Sequence, residues 1–234
     1  MRAEDYYRNT VDRSSDWADQ AAEPGFAPVG AVIRAALPSL AKGGRVLDIG
    51  CQGGHQLALL REHFDEAVGL DVAPYEEMWA LFPDIDFIVH DVDAASIPYP
   101  DGHFDCIIAT NVLEHVFDVY GFVREVHRLL RPGGTCVISV PNIAEIRRVM
   151  SLARGKVPVT GGNQYPFTDE QGWDGQHLHY FTPSALTHLL AEEGLEVTDT
   201  LVIGKLPRLK RLWLAGLSSS IDVVAVRAES VHRG

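Results

Sequence analysis

The chain has 234 residues, enough for one α/β domain with a cap or an insertion. Its 46% hydrophobic and 22% charged residues are those of a globular protein rather than a disordered one. Its 32 acidic against 20 basic residues give a formal net charge of −12, which repels a phosphate backbone and makes nucleic acid a poor partner. No apolar run is long enough to span a membrane, and the charged N-terminus MRAEDYYRNT lacks the apolar stretch of a signal peptide. Cys51, Cys106 and Cys136 are odd in number and widely spaced, which argues against a disulfide framework or a zinc knuckle. Free thiols in a reducing cytoplasm are the expectation.

The residues before about Gly30 are predicted to form an N-terminal helical cap, residues 1–29. Arg45–Ile49 (RVLDI) reads as a buried strand, then a glycine turn, then a helix over Gln56–Phe64 carrying Leu57, Leu59, Leu60 and Phe64. Ala67–Leu70 is a second strand ending at Asp71. Pro74 opens a helix with Glu76 and Glu77 in its first turn, where the helix dipole favours anions. Ile85–Val89 is a third strand ending near Asp91, and Phe104–Ala109 a fourth. Asp118 is the expected N-cap of a helix whose Val119, Phe122, Val123, Val126, Leu129 and Leu130 share one face, stopped by Pro132-Gly133-Gly134. Cys136–Val140 is a fifth strand. Strands alternating with helices at this spacing imply parallel pairing and right-handed crossovers, hence a Rossmann-like doubly wound α/β sheet. The rhythm then breaks. Ile143, Ile146, Val149 and Met150 suggest an amphipathic helix, and the glycine- and aromatic-rich stretch after it suggests an inserted lid, residues 143–181 in all. Thr182-Pro183 opens a further helix that Gly194 closes, and Leu195–Ile203 and Ile221–Val226 read as the last two strands.

The first strand runs into Asp48-Ile49-Gly50-Cys51-Gln52-Gly53-Gly54, a turn where a ligand can approach the backbone closely. Asp71 lies 23 residues beyond Asp48, at the next strand end, where a carboxylate can accept bonds from both ribose hydroxyls. Asp91-Val92 ends the third strand. All three acids fall on the carboxyl side of the strands, where open α/β sheets bind ligands. A nicotinamide GxGxxG fingerprint started at Gly50 fails at Gln52 and His55. A P-loop fails at Gly155-Lys156-Val157 and at Gly204-Lys205-Leu206.

Taken in order, VLDIGCQGG, GLDV, HDVD, FDCIIATNVLEHV and LLRPGGTCVISVPN resemble the successive motifs of class I S-adenosylmethionine (SAM) dependent methyltransferases. The likeness is to the small-molecule branch that includes ubiquinone-type and sugar or secondary-metabolite enzymes. It covers about Arg45–Asn142, and more weakly Leu178–Val197. The resemblance implies SAM as cofactor and a seven-stranded sheet of order 3-2-1-4-5-7-6 with strand 7 antiparallel. It implies that the turn carrying Gly50, Gln52 and Gly54 cradles the methionine part of SAM, with Asp48 near the ammonium. Asp71, followed by Val72, would hold the ribose. Asp91 and Val92 would read the adenine, and Asn111 would offer its backbone to the methionine end. Gln52 departs from the family, where glycine is common.

Such a protein must align an acceptor with the activated methyl and can remove the acceptor's proton. His177 and His179, on one side of an extended Gln176–Tyr180 stretch, are equal candidates for a base. His115 is a third candidate, favoured as an acceptor-orienting or packing residue. In some ubiquinone-type relatives an acid three residues before Glu114 would join Glu114 and His115 on a divalent metal. Asn111 stands there, so no metal is expected. Trp173, Tyr165, Phe167 and Tyr180 would form the lid's own small core or stack on a ring-shaped acceptor. Tyr6 and Tyr7 would close over SAM. Lys205–Leu217 reads as a packed helix or a homodimer contact, with a membrane surface or lipid-linked acceptor less favoured. The partner expected is a small-molecule acceptor, an oxygen or nitrogen nucleophile on a sugar or secondary metabolite. A nicotinamide-dependent oxidoreductase and a non-catalytic SAM-binding partner protein are the alternatives.

Overall fold

The computed structural model describes residues 27–160, 177–203 and 214–228. Most of the N-terminal cap, the lid aromatics Tyr165, Phe167 and Trp173, and most of the Lys205–Leu217 segment lie outside them.

In chain order the elements are α1 (Ala27–Ala36), a 3-10 turn (Leu37–Ser39), β1 (Arg45–Ile49), α2 (His55–Leu60), β2 (Glu66–Asp71), α3 (Glu76–Trp79), β3 (Asp86–Val89), β4 (Phe104–Thr110), α4 (Val119–Leu129), β5 (Leu130–Pro141), α5 (Ile146–Ala153), α6 (Pro183–Glu192), β6 (Leu195–Leu201), α7 (Leu214–Leu217) and β7 (Ser220–Arg227). The strands form one seven-stranded sheet of order β3-β2-β1-β4-β5-β7-β6. β1 to β5 pair in parallel, and β7 lies antiparallel between β5 and β6, as the family order requires.

Alternation along each strand divides the core between the two faces of the sheet. Leu47 of β1, Ile107 of β4 and Ile138 of β5 pack with Phe122, Val126 and Leu129 of α4 and Leu186 and Leu190 of α6. Val46, Ile108 and Val137 pack on the other face with Ile33 and Ala36 of α1 and Leu57 and Leu60 of α2. Helices on both faces of a mostly parallel sheet make it doubly wound. The three cysteines are free and buried. No helix among the described residues is long and apolar enough to cross a membrane.

Two caps act as their sequences predict: the Asp118 carboxylate accepts from the Gly121 N–H at 2.9 Å, and the Thr182 hydroxyl from the Ala185 N–H at 3.2 Å. Several boundaries differ. α2 stops at Leu60, not Phe64, and α3 starts at Glu76, two residues past Pro74. β5 begins at Leu130, so Pro132-Gly133-Gly134 lie within it. They fall where the register jumps, Phe104 pairing with Leu130 and Cys106 with Thr135. The stretch after Asn142 turns helical only at Ile146. The predicted apolar positions of this helix, Val149 and Met150, are exposed.

Candidate functional site

The chain enters the sheet centrally at β1, winds outward through β2 to β3, then returns to β4 on the other side of β1. The crevice at the carboxyl ends of β1 and β4 is therefore the topological switch point, where such sheets take ligands. The sequence places its glycine turn after one of these strands and Asn111 after the other.

Backbone bonds lash the turn to the tip of β2: the Gly50 and Cys51 N–H groups donate to the Leu70 carbonyl at 2.7 and 3.0 Å. Gly50 and Gly54 have φ of 74° and 81°. A Cβ on Gly50 would come 2.5 Å from Val112, and one on Gly54 2.6 Å from the Phe87 ring. Both positions therefore demand glycine for conformation and for space. Gln52 also has positive φ, 45°, and so does Asn111, 55°. The departure from the family thus falls on a left-handed position. Two bonds hold it: the Gln52 N–H donates to Asp71 Oδ2 at 2.9 Å, and the Trp79 indole N–H donates to the Gln52 carbonyl at 2.6 Å. Trp79 is itself stacked on Phe87, with ring centroids 4.9 Å apart and planes 3° from parallel.

Asp48 is fully buried, and neither carboxylate oxygen has a hydrogen-bond partner among the described residues. Burial, and then the nearby charge of Asp71, holds its carboxyl well above the usual aspartate range. It does not cap α2, whose N-cap is Gly54 with no side-chain bond. Asp71 is also buried, which raises its carboxyl, while N–H groups of Ala73, Gln52 and Val72 pull the other way. Its Oδ1 accepts from the Ala73 N–H at 3.1 Å. A carboxylate has about four lone-pair sites, so ribose hydroxyls can be accepted without undoing these bonds. Half-buried Asp91 accepts from the Asp93 N–H at 3.0 Å, and Asp93 accepts from the Phe117 N–H at 2.9 Å. That chain ties the Asp91-Val92 corner to the loop after β4. The Asn111 N–H donates to the Ser139 carbonyl at 2.8 Å.

A second cluster follows Asn111 directly. The Glu114 side chain is 1% exposed, and both its oxygens lack a hydrogen-bond partner among the described residues. Burial pushes its carboxyl up to about 8. Its backbone carbonyl accepts from the Leu178 and His179 N–H groups at 2.8 and 3.2 Å. Those bonds dock the His177–Tyr180 stretch against the β4 loop. The His115 and His177 rings meet edge to face, 4.8 Å between centroids, and Thr160 Oγ1 lies 2.5 Å from His177 Nδ1. His179 points elsewhere: its Nε2 is 2.9 Å from the Val116 carbonyl. The structure thus separates two histidines that the sequence left equal, bringing His177 to Glu114 and His115. Of the aromatic residues suggested for stacking, Tyr180 alone is described, and it is exposed. Sequence reasoning passed over Thr160 and Trp79, and weighed Glu114 only as part of a metal set that Asn111 breaks.

Comparison with known proteins matches residues 22–200 to the methyltransferase domain family. The chain belongs to this family, of the class I SAM-dependent kind, and its cofactor is SAM. A SAM-dependent methyltransferase of Mycolicibacterium smegmatis is 30% identical over 67% of this chain and 53% of its own length. The ubiquinone biosynthesis O-methyltransferase of Ruegeria pomeroyi is 28% identical over 66% of this chain and 61% of its own. The chain thus spans between half and two thirds of these curated relatives. In fold it is similar to the 1,6-didemethyltoxoflavin-N1-methyltransferase of Burkholderia thailandensis, solved with S-adenosylhomocysteine (TM-score 0.60, 19% identity, covering 97% of this chain and 92% of that one).

Proposed function

We propose that the chain transfers the methyl group of SAM to an oxygen or nitrogen of a small molecule, a sugar or secondary metabolite. SAM carries its methyl already activated on a sulfonium, so the protein's work is alignment and handling of the acceptor's proton. In this reading Asp48 meets the ammonium and Gly50, Gln52 and Gly54 admit the methionine backbone. Asp71 with Val72 holds the ribose, Asp91 and Val92 read the adenine, and Asn111 marks the methionine end. The acceptor's reacting atom sits against Glu114, His115 and His177, which carry the acid–base work. His179 anchors the His177–Tyr180 stretch. The observation that carries this reading is the buried, unpartnered Asp48 beside a glycine turn whose geometry leaves no room for a side chain at Gly50. A buried carboxylate without a partner is costly unless a ligand supplies one.

A nicotinamide oxidoreductase is disfavoured by Gln52 and His55 in the turn. Calorimetry with S-adenosylhomocysteine, followed by methyl transfer from labelled SAM to a panel of hydroxylated and amino metabolites, tests the proposal. Binding that disappears in Asp71→Ala, together with label in one acceptor class, supports it. Stabilisation by NAD and none by S-adenosylhomocysteine refutes it. Tight cofactor binding with no transfer to any acceptor would favour the non-catalytic partner.

A further inference from the structure

The acid three residues before Glu114 that would complete a family-type metal set is Asn111 here, and this was the reason to expect no metal. The fold supplies a different third donor. Glu114, His115 and His177 each offer one ligand atom, and the three atoms lie within 4.8 Å of one another. His177 arrives from 62 residues further along the chain, held there by the bonds of Leu178 and His179 to the Glu114 carbonyl. The Glu114 carboxyl group is buried with no hydrogen-bond partner among the described residues, so both of its oxygens are open to a ligand.

From this geometry we infer that Glu114, His115 and His177 bind one divalent cation of the zinc or cobalt class, rather than magnesium. Two imidazoles and one carboxylate suit borderline ions, whereas magnesium asks for oxygen ligands alone. Four-coordinate donors stand about 3.4 Å apart around zinc, so small side-chain rotations close the set. Metal-bound histidines typically engage their second ring nitrogen in a hydrogen bond. Thr160 Oγ1 at His177 Nδ1 meets that need. In the tautomer in which Nδ1 donates to the hydroxyl, Nε2 is left to bind the cation. Three protein ligands leave room for an acceptor oxygen, and a cation there supplies Lewis-acid activation of that oxygen. The acceptor class narrows accordingly to oxygen nucleophiles, alcohols or phenols. This deepens the proposed function and rests on its placement of the acceptor. In it the three groups do their acid–base work by holding the cation, which would lower the acceptor hydroxyl's pKa so that its proton passes to solvent. That oxygen takes the methyl as the methyl–sulfonium bond breaks and S-adenosylhomocysteine is released.

The test uses tag-free full chain stripped with a chelator and titrated with zinc, cobalt and magnesium chlorides by calorimetry, with cobalt uptake also followed by its visible absorption. One equivalent of zinc or cobalt binding at least tenfold tighter than magnesium, and weakened ten- to hundredfold in His177→Ala, is the expected result. Glu114→Gln is the second variant, and unchanged S-adenosylhomocysteine binding in both variants shows that they fold. No stoichiometric zinc or cobalt uptake by the wild type overturns the inference, as does uptake equally strong in both variants. Because S-adenosylhomocysteine binding is read separately, a protein that binds it but takes up no metal refutes the cation site alone. Failure to bind S-adenosylhomocysteine refutes the cofactor reading instead.

Discussion

Replacing Asp48 with asparagine should move stability and affinity in opposite directions. Its carboxyl group is 0% exposed and has no hydrogen-bond partner among the described residues, and the nearby acid Asp71 adds to the cost of ionising it. Leaving a buried polar group unsatisfied costs about 1–3 kcal/mol, and more for a charge. Asparagine keeps the shape and removes the charge, so Asp48→Asn should raise the ligand-free melting temperature. At about 2–4 °C per kcal/mol for a chain of this size, a rise of several degrees is expected. The gain depends on pH with a definite sign. Burial raises the native carboxyl above the unfolded value near 3.8. The native state therefore keeps a proton that the unfolded state releases, and wild-type stability falls as pH rises above that value. The variant's advantage should be absent near pH 3.8 and grow above it, levelling once the native carboxyl has ionised. Cofactor binding should respond the other way. A hydrogen bond to a charged group contributes about 1.5–3 kcal/mol, so Asp48→Asn should weaken S-adenosylhomocysteine binding roughly ten- to hundredfold. Differential scanning calorimetry across pH and isothermal titration of the same preparations decide it. A variant that melts lower and binds S-adenosylhomocysteine as tightly as the wild type would show that Asp48 serves the fold and not the ligand.

Other perturbations separate the roles of neighbouring residues. Gly54→Ala puts a methyl 2.6 Å from Phe87 at a φ of 81°, whereas Gly155→Ala adds one in open space at 75°. The first should lose about 1–3 kcal/mol more than the second in urea unfolding, and equal losses would refute the proposed clash. Trp79→Phe keeps the stack on Phe87 but removes the 2.6 Å bond to Gln52. S-adenosylhomocysteine affinity should fall by up to about tenfold, and Gln52→Gly in the same chain should abolish that dependence on Trp79. His177→Ala should lower the transfer rate at least tenfold. His179→Ala should chiefly cost about 1 kcal/mol of stability through its lost bond to Val116, and a reversed pattern in steady-state rates and melts would exchange their roles.

The parallel strands and their acids were legible because each is a local signal: an apolar run, a turn and a terminal carboxylate within a few residues. Asp48, Asp71 and Asp91 therefore stand at or just beyond strand ends, as their spacing implies. The pairing of β7 between β5 and β6 came from the resemblance, because periodicity carries no information about which distant strand is a neighbour. Boundaries failed where tertiary pairing overrides local preference. Pro132-Gly133-Gly134 look like a helix stop, yet β4 recruits the residues around them into β5 through a register jump. His177 and His179 are indistinguishable by alternation, since both lie on one side of the same extended stretch. Their separate fates depend on carbonyls far away in sequence, Glu114 docking the stretch and Val116 engaging His179. Glu114 was weighed only in a metal set that Asn111 breaks, because nothing local in the sequence shows that it is buried or that His177 lies beside it.

The loop from Asn111 to Asp118 binds the two halves of the site into one unit. At its start the Asn111 N–H is fixed to β5, and near its end the Phe117 N–H is fixed to Asp93, beside the adenine corner. Between them, the Glu114 carbonyl fixes the stretch that brings His177. Its two ends and its middle are thus hydrogen-bonded to three different parts of the fold. The two unpartnered carboxylates, Asp48 and Glu114, belong to neighbouring segments at this crevice: one on β1, one just after β4. Each is an acid whose ionisation burial opposes, one facing the cofactor's ammonium in our assignment and the other the cation. A ligand's positive charge favours the ionised form of either, so the ligand-free protein holds two pre-placed acids in a low-dielectric crevice. That preorganisation explains why the polar groups at this edge are so unevenly satisfied: Asp71 and Asp91 are tied to backbone N–H groups, while Asp48 and Glu114 are kept open.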